Sequence, residues 1–249
     1  MLNAMMNKLD LLNKIRIVLV ETTHPGNIGA TARAMKTMGL QRLYLVSPHY
    51  FPHEEAIAMA SGSDVLDHLL IFNSLESAIA DCALVIGTSA RSRTLPWTVQ
   101  SPQESAILAL TQAQQHEVAI VFGQEKAGLT NAQLAMCQFH VQIPCDLSYS
   151  SLNIAAAVQV IAYELRKAAL GESLPTAELP EYASVADLER FFEHVESTLT
   201  AVKFLKPANS EQVLRRIRRL FQRARLETEE VRLLRGVLSA CQKKVGKGK

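Results

Sequence analysis

The sequence predicts an α/β protein: a mostly parallel sheet followed by a small, basic, all-helical domain. Three observations predict it. Short β-branched apolar runs alternate with helix-patterned stretches over residues 1–170, the rhythm of parallel strands joined by crossover helices. The strand signal stops at residues 171–183 and does not return. The net charge of +2 conceals a division: residues 1–180 carry 11 Lys and Arg against 15 Asp and Glu, a balance of −4, and residues 181–249 carry 15 against 9, a balance of +6. Such asymmetry points to an anionic partner for the second part. At 48% hydrophobic and 20% charged residues, the composition excludes a disordered, collagen-like or disulfide-stapled chain.

The chain opens with Lys8, Asp10 and Lys14 scattered among apolar residues and no small-residue cleavage site, so no signal peptide is expected. Residues 15–20 (IRIVLV) are the first expected strand; 43–46, 83–86 and 118–122 share its character, and 139–143 is a shorter fifth candidate. Near-continuous apolar runs suit strands covered on both faces. Helical patterns fill the intervals at 29–38, 54–60, 75–80, 104–115 and 131–136, with Gly39 placed to end the first. Residues 151–169 read as a long apolar helix closing the domain. Residues 147–163 carry no charge, but Ser148, Ser150, Ser151, Asn153 and Gln159 leave them short of the ~18 apolar residues of a membrane span, so a buried helix is expected and no membrane partner.

Residues 171–183 (GESLPTAELPEYA), with two prolines, read as a linker. Beyond it 185–200, 210–225 and 227–241 are helical in pattern, and 243–249 form a basic, frayed tail. The expected organisation is a domain over 1–170, a linker over 171–183 and a helical extension over 184–249. Cys82, Cys137, Cys145 and Cys241 form no CxxC pair and complete no zinc pattern with histidine. They predict reduced, mostly buried thiols in a cytoplasmic protein.

Four loops after expected strands carry chemistry-bearing residues. The first is His24-Pro25-Gly26-Asn27-Ile28-Gly29, running on to Arg33. A glycine-rich turn opening a helix can bind an anion through free backbone N–H groups and the helix dipole. Its GxxG spacing is not the GxGxxG of a dinucleotide site, and no acidic residue at 46–48 awaits a ribose, which argues against a nicotinamide-dependent oxidoreductase. Asn27 serves equally as a helix cap. Arg33, one turn past Gly29, is a lone arginine among alanines and methionines. The second loop sets Thr88, Ser89, Ala90, Arg91 and Arg93 beside the only tryptophan, Trp97, and suits phosphate contact or plain solvation. In the third, Gly123 and Gly128 flank Glu125 and allow close backbone approach or unusual φ/ψ, with Thr130 or Asn131 placed to cap the next helix. The fourth runs from Ile143-Pro144-Cys145 into residues 148–153, whose hydroxyls suit caps as well as ligands. All four fall at carboxyl ends of strands, where α/β proteins bind ligands.

In the C-terminal part, a helical wheel puts Val213, Leu214, Ile217, Leu220 and Phe221 on one face and Arg215, Arg216, Arg219 and Arg223 on the other. A solvated charged face usually mixes signs, yet Glu211 is the only acid between 210 and 225, so this face is expected to bind phosphates.

In combination these segments resemble the SPOUT class of RNA methyltransferases, the α/β-knot enzymes. Asn27-x-Gly29-x-x-x-Arg33 is similar to the first motif of that class, Phe122-Gly123-x-Glu125 with Gly128-Leu129 to the second, and Ile143-Pro144 through Ser151-Leu152-Asn153 to the third. Residues 88–97 (TSARSRTLPW) and the basic extension resemble the bacterial branch that methylates the 2′-hydroxyl of cytidine or uridine at position 32 of the tRNA anticodon loop. The similarity spans residues 15 to about 240; residues 1–14 look like an extension, with Met5 or Met6 as alternative starts.

The resemblance implies a trefoil knot at the C-terminal end of the α/β domain, which no periodicity reveals. It implies a homodimer packed through the knot-region helices, and S-adenosylmethionine bound in a bent form. Thr88, Ser89, Ala90, Gly123, Ile143, Ser150, Ser151 and Leu152 would hold that cofactor, Ile143 and Leu152 sandwiching the adenine. Asn27, Gly29, Glu125, Gly128 and Asn153 would support the site. The implied reaction, methyl transfer to a tRNA ribose 2′-hydroxyl, requires no metal. Arg33 and Ser151 are the implied catalytic residues. A guanidinium with a pKa above ~12 is a poor base. Arg33 is therefore expected to orient the hydroxyl and stabilise developing negative charge, with proton removal by it left open. Ser151 orients the nucleophile or holds the cofactor, and Arg91 and Arg93 grip RNA phosphates. A methyltransferase of ribosomal RNA or of the wobble position, and a non-catalytic RNA-binding protein, are the other readings. Compact wobble-position enzymes resemble the α/β part alone, so the basic extension favours position 32.

Overall fold

The computed structural model describes residues 8–89, 99–146, 148–171, 174, 179–206 and 209–246. The chain divides into two compact units, residues 1–177 and 178–249.

The first unit is built on seven strands: β1 (Ile15–Val20), β2 (Arg42–Val46), β3 (Leu70–Phe72), β4 (Cys82–Thr88), β5 (Val99–Gln100), β6 (Glu117–Phe122) and β7 (Phe139–Val141). They form one sheet in the order β3-β2-β1-β6-β4-β7-β5, and every pairing is parallel. Between them run α1 (Pro25–Met38), α2 (Glu54–Ala60), α3 (Leu75–Ile79), α4 (Pro102–Ala113) and α5 (Asn131–Leu134), and α6 (Ile154–Leu170) follows β7. The central strands β1, β4 and β6 are buried over nearly their whole length, which is why they read as unbroken apolar runs. Ile28 and Met35 of α1, Leu110 of α4, and Val158, Ile161 and Leu165 of α6 pack with Ile17, Leu19, Ile120 and Phe122 in one core. Burying each such side chain contributes about 1.5–3 kcal/mol. The edge strands β3 and β5 escaped sequence reading: at two or three residues, with Leu70, Ile71 and Val99 exposed, they show no run.

Local chemistry sets the helix starts, and three expectations change. First, α1 begins at Pro25, four residues earlier than its pattern suggested; proline suits the first helical position because its missing N–H has no partner there anyway. Gly26 and Gly29 are therefore buried inside the helix rather than in an open turn, and Asn27 is not its cap. A Cβ on Gly29 would lie 2.0 Å from the Ala56 carbonyl, so this glycine lets α1 and α2 cross closely. Second, residues 148–153 are an exposed segment, not the start of a buried helix. The helix starts at Ile154, where Asn153 Oδ1 accepts from Ala155 N at 2.9 Å. Third, Cys82 and Cys137 are buried, but Cys145 is half-buried and Cys241 exposed; all four are free. Thr130, as expected, caps α5, and Ser101 and Glu104 form a capping box on α4.

The chain lays β1 to β3 outward, crosses to β4 and the far edge β5, then returns to insert β6 between β1 and β4, and β7 between β4 and β5. This brings the connections after β1, β4, β6 and β7 to one end of the sheet. At the amino ends sits a different device. Arg16, 2% exposed, donates to both carboxylate oxygens of Asp81 at 2.6 and 2.7 Å and to Glu117 at 2.8 Å, its guanidinium 4.8 Å from the centre of the Tyr44 ring. Burial works against the charge, but Asp81 and Glu117 outweigh it and raise the pKa above the usual arginine value.

The second unit contains α7 (Val185–Ala201), α8 (Ser210–Ala224) and α9 (Thr228–Gly246). Leu188, Phe191, Phe192, Val195, Leu226 and Val231 form its core, with Ile217 and Phe221 packed against it. Ala183 N donates to Leu226 O at 2.9 Å, and Thr228 N to Glu181 O at 2.8 Å, so residues 181–183 take part in this unit's backbone pairing. The buried side of α8 is rotated from the expected wheel: Leu220 is 53% exposed and Gln222 is buried. Arg218 takes part of the inner face because its guanidinium lies 4.3 Å from the Phe192 ring centre and pairs with Glu189. Among the described residues no helix is long and apolar enough to cross a membrane.

Candidate active site

At the carboxyl ends of β4, β6 and β7 three connections close around one cavity. Thr88 and Ser89 line it from the end of β4, residues 122–129 from β6 and its loop, Ile143 and Cys145 from beyond β7, and Ser150, Ser151 and Leu152 from the segment before α6. Seven of the eight residues expected to hold a cofactor thus meet, from segments far apart in the chain. The eighth, Ala90, lies with Arg91 and Arg93 outside the described residues.

Each wall has a local cause. Thr88 Oγ1 donates to Val121 O at 3.0 Å and Ser89 N to Val141 O at 3.1 Å, pinning the end of β4 between its neighbours. The loop after β6 closes on itself: Gly128 N donates to Gln124 O at 2.8 Å, Gly128 has φ +67°, and a Cβ on Gly123 would lie 2.2 Å from Gly128 C and Leu129 N. The two glycines are needed for this closure itself. Ser148 N donates to Asp146 Oδ1 at 2.8 Å, and the resulting turn leaves Ser150 and Ser151 exposed at the rim. Leu129, Ile143 and Leu152 offer an apolar slot, with Thr88, Ser89, Ser150 and Ser151 supplying hydroxyls around it. That donor set fits a flat heteroaromatic base carrying a sugar.

Beside the cavity a hydrogen-bond network joins the three motif segments. Glu125 accepts from Thr23 N at 3.1 Å, Thr23 Oγ1 at 2.9 Å, His24 N at 3.2 Å and Asn27 Nδ2 at 2.9 Å. The anion that the sequence placed at the start of α1 is therefore the chain's own carboxylate, held by free N–H groups at a helix start. Burial disfavours its charge, but the bonds from Asn27 and Thr23 prevail and draw the carboxyl down to about 2. The backbone N–H groups of Thr23 and His24 carried no sequence signal for this role, because a backbone donor has none.

Arg33 stands exposed on α1, outside the residues lining the cavity. On α8, Arg216 and Arg223 are exposed, Arg215 pairs with Glu211 at 2.5 Å, and Arg219 is half-buried.

Residues 14–163 match the SpoU rRNA methylase family. The chain belongs to that family. Residues 186–249 of this SpoU-family chain match the C-terminal domain of the tRNA methyltransferase TrmJ. The chain is similar to the tRNA (cytidine/uridine-2′-O-)-methyltransferase TrmJ of Pectobacterium atrosepticum, 52% identical over 237 residues, covering 94% of this chain and 98% of that protein. It is 50% identical to TrmJ of Klebsiella pneumoniae over 245 residues, covering 96% and 100%. Among solved structures, TrmJ from Z. mobilis ZM4 superposes with a TM-score of 0.81 at 34% identity, over 90% of this chain and 97% of that one. The resemblance to SPOUT enzymes read from the three motifs is borne out by this membership.

Proposed function

We propose that this SpoU-family chain is a tRNA (cytidine/uridine-2′-O-)-methyltransferase that uses S-adenosylmethionine and acts at position 32 of the anticodon loop. One observation carries the reading: residues 88–89, 123, 143 and 150–152 close around a single cavity at the carboxyl ends of a parallel sheet. Identity of about 50% over nearly the whole chain to proteins of that name supports the substrate. The SpoU family is named for ribosomal RNA, but the basic residues 186–249 match a tRNA enzyme's domain and favour tRNA over rRNA.

S-adenosylmethionine supplies an electrophilic sulfonium methyl, for which the transfer needs no Lewis acid. Leu129, Ile143 and Leu152 hold the adenine, while Thr88, Ser89, Ala90, Gly123 and Ser150 bind the rest. Ser151, at the rim, orients the ribose hydroxyl. Arg33 orients that hydroxyl and stabilises the charge developing on it. Its position outside its own cavity supports a homodimer in which it serves the cavity of a second copy. Arg91 and Arg93, with Arg215, Arg216, Arg219 and Arg223, contact phosphates. Residues 1–170 act as the methyltransferase domain, 171–183 as linker and 184–249 as the RNA-binding extension, in a cytoplasmic enzyme. The late insertion of β6 and β7 between strands already laid supports a trefoil knot.

Incubation with S-adenosylmethionine and unmodified tRNA, followed by mass-spectrometric mapping of ribose methylation, is expected to find the methyl at residue 32. No methylation of any tRNA, under conditions where the cofactor binds, overturns the reading. Arg33→Ala is expected to lower turnover about 10²–10³-fold with cofactor affinity unchanged; loss of cofactor binding in calorimetry removes Arg33 from the catalytic role.

A further inference from the structure

Across the loop 123–128 from the cofactor cavity lies a second cleft, and Gln124 and Lys126 line both. Its other walls include His24, at the start of α1, and His49, Tyr50, His53 and Glu55, from the connection between β2 and α2 and from α2 itself. Its volume of about 620 Å³ falls within the roughly 300–1,000 Å³ of small-ligand sites.

Tyr50 is 63% exposed, yet its loop is anchored. Ser47 N donates to Phe72 O at 2.9 Å and His49 N to Thr22 O at 3.0 Å. Glu21 (φ +52°) and Ser47 (φ +44°), at the ends of β1 and β2, are held in the left-handed region that side-chain-bearing residues rarely occupy. Such conformations persist where the surroundings enforce them and cluster at functional sites. The fold thus holds a large aromatic ring out to solvent, 6.4 Å from the His49 ring, and among the described residues it joins no core cluster. Glu55 sits over the first turn of α1, where a Cβ on Gly26 would lie 2.6 Å from its Oε1 and the helix dipole favours its charge. Lys126 is exposed at the loop that both cavities share.

We propose that this cleft receives one unstacked nucleotide of the tRNA anticodon loop, with its base on Tyr50, its base edge on Gln124 and its phosphate on Lys126. The inference rests on the tRNA methyltransferase reading above. Proteins read RNA loops by stacking splayed bases on aromatic side chains while a cationic groove tracks the backbone. The Gln124 amide presents a carbonyl to the cytosine amine and an N–H to the uracil O4, so it serves either pyrimidine.

The test compares wild type, Tyr50→Ala and Tyr50→Phe in three measurements: binding of an anticodon stem-loop by fluorescence anisotropy, KM for tRNA, and S-adenosylmethionine affinity by calorimetry. Tyr50→Ala is expected to weaken stem-loop binding and raise KM about tenfold, with cofactor affinity unchanged. Tyr50→Phe, which keeps the ring, is expected to stay within about twofold of wild type. Wild-type stem-loop affinity in Tyr50→Ala, or an equal loss in Tyr50→Phe, overturns the stacking role. Failure of the wild type to methylate tRNA overturns the function reading instead, and the binding arm still decides the cleft. Stem-loops made abasic at one position at a time locate the base: at the occupied position the abasic penalty seen with wild type vanishes in Tyr50→Ala, and no such position overturns the proposal.

Discussion

Asn27 Oδ1 accepts a hydrogen bond from Asn153 Nδ2 at 2.8 Å, joining the first turn of α1 to the cap of α6 across 126 residues. Each amide is used at both ends: Asn27 Nδ2 donates to Glu125, and Asn153 Oδ1 accepts from Ala155 N. Asn27→Asp removes the donor and sets a second carboxylate against Glu125. It is expected to destabilise the fold by about 2 kcal/mol at neutral pH, measured by urea unfolding. Wild-type stability would show the network to be slack.

Glu125 gives the fold an acid dependence. Its carboxyl stands at about 2, below the ordinary value of 4.5, so its stabilisation is complete above 4.5 and is lost as pH falls from 4.5 toward about 2. Glu125→Gln is expected to be less stable than wild type by about 1–2 kcal/mol at pH 7, a figure reduced for the carboxylate's partial exposure. The gap should close on acidification to pH 2. Denaturation curves across that range decide it; a gap independent of pH contradicts the assignment.

Arg16 is 2% exposed while its partners Asp81 and Glu117 reach solvent at 59% and 31%. An orphaned guanidinium here is therefore worse than orphaned carboxylates. The double variant Asp81→Ala/Glu117→Ala is expected to cost about 3–5 kcal/mol. Adding Arg16→Met should restore part of that loss, because the methionine fills the space without a charge. Thermal unfolding of the three proteins gives the order, and no recovery in the triple variant contradicts it.

Gly123→Ala puts a methyl where Gly128 C and Leu129 N stand 2.2 Å away, so the loop 123–128 must open. Cofactor affinity is expected to fall at least about tenfold, since a small misplacement of site groups is costly. Calorimetry with S-adenosylmethionine reads this directly, and unchanged affinity would detach the loop's closure from binding.

Arg216 and Arg223 are exposed on α8. Each replacement by Gln is expected to lower the salt slope of tRNA binding by about one unit and weaken all tRNAs alike. Binding titrations from low to high salt test this; an unchanged slope removes that residue from the phosphate contacts.

The α/β class, the strands β1, β2, β4, β6 and β7 and the helical C-terminal part were legible in the sequence, because periodicity and apolar runs are local properties. So were the three motifs whose order marked the family. The tertiary structure alone decided what each motif residue faces. Gly29 read as part of an anion-binding turn, but it is there for the Ala56 carbonyl of a crossing helix. Asn27 read as a cap until the fold brought Glu125 and Asn153 to it from 98 and 126 residues away. Leu220 read as core, yet it is exposed, while Ile217 and Phe221 pack inward and Arg218 takes part of the inner face with an ion pair and an aromatic ring. A sequence pattern carries the period of a residue's face but not the identity of its partner, and partners are chosen by packing across the chain.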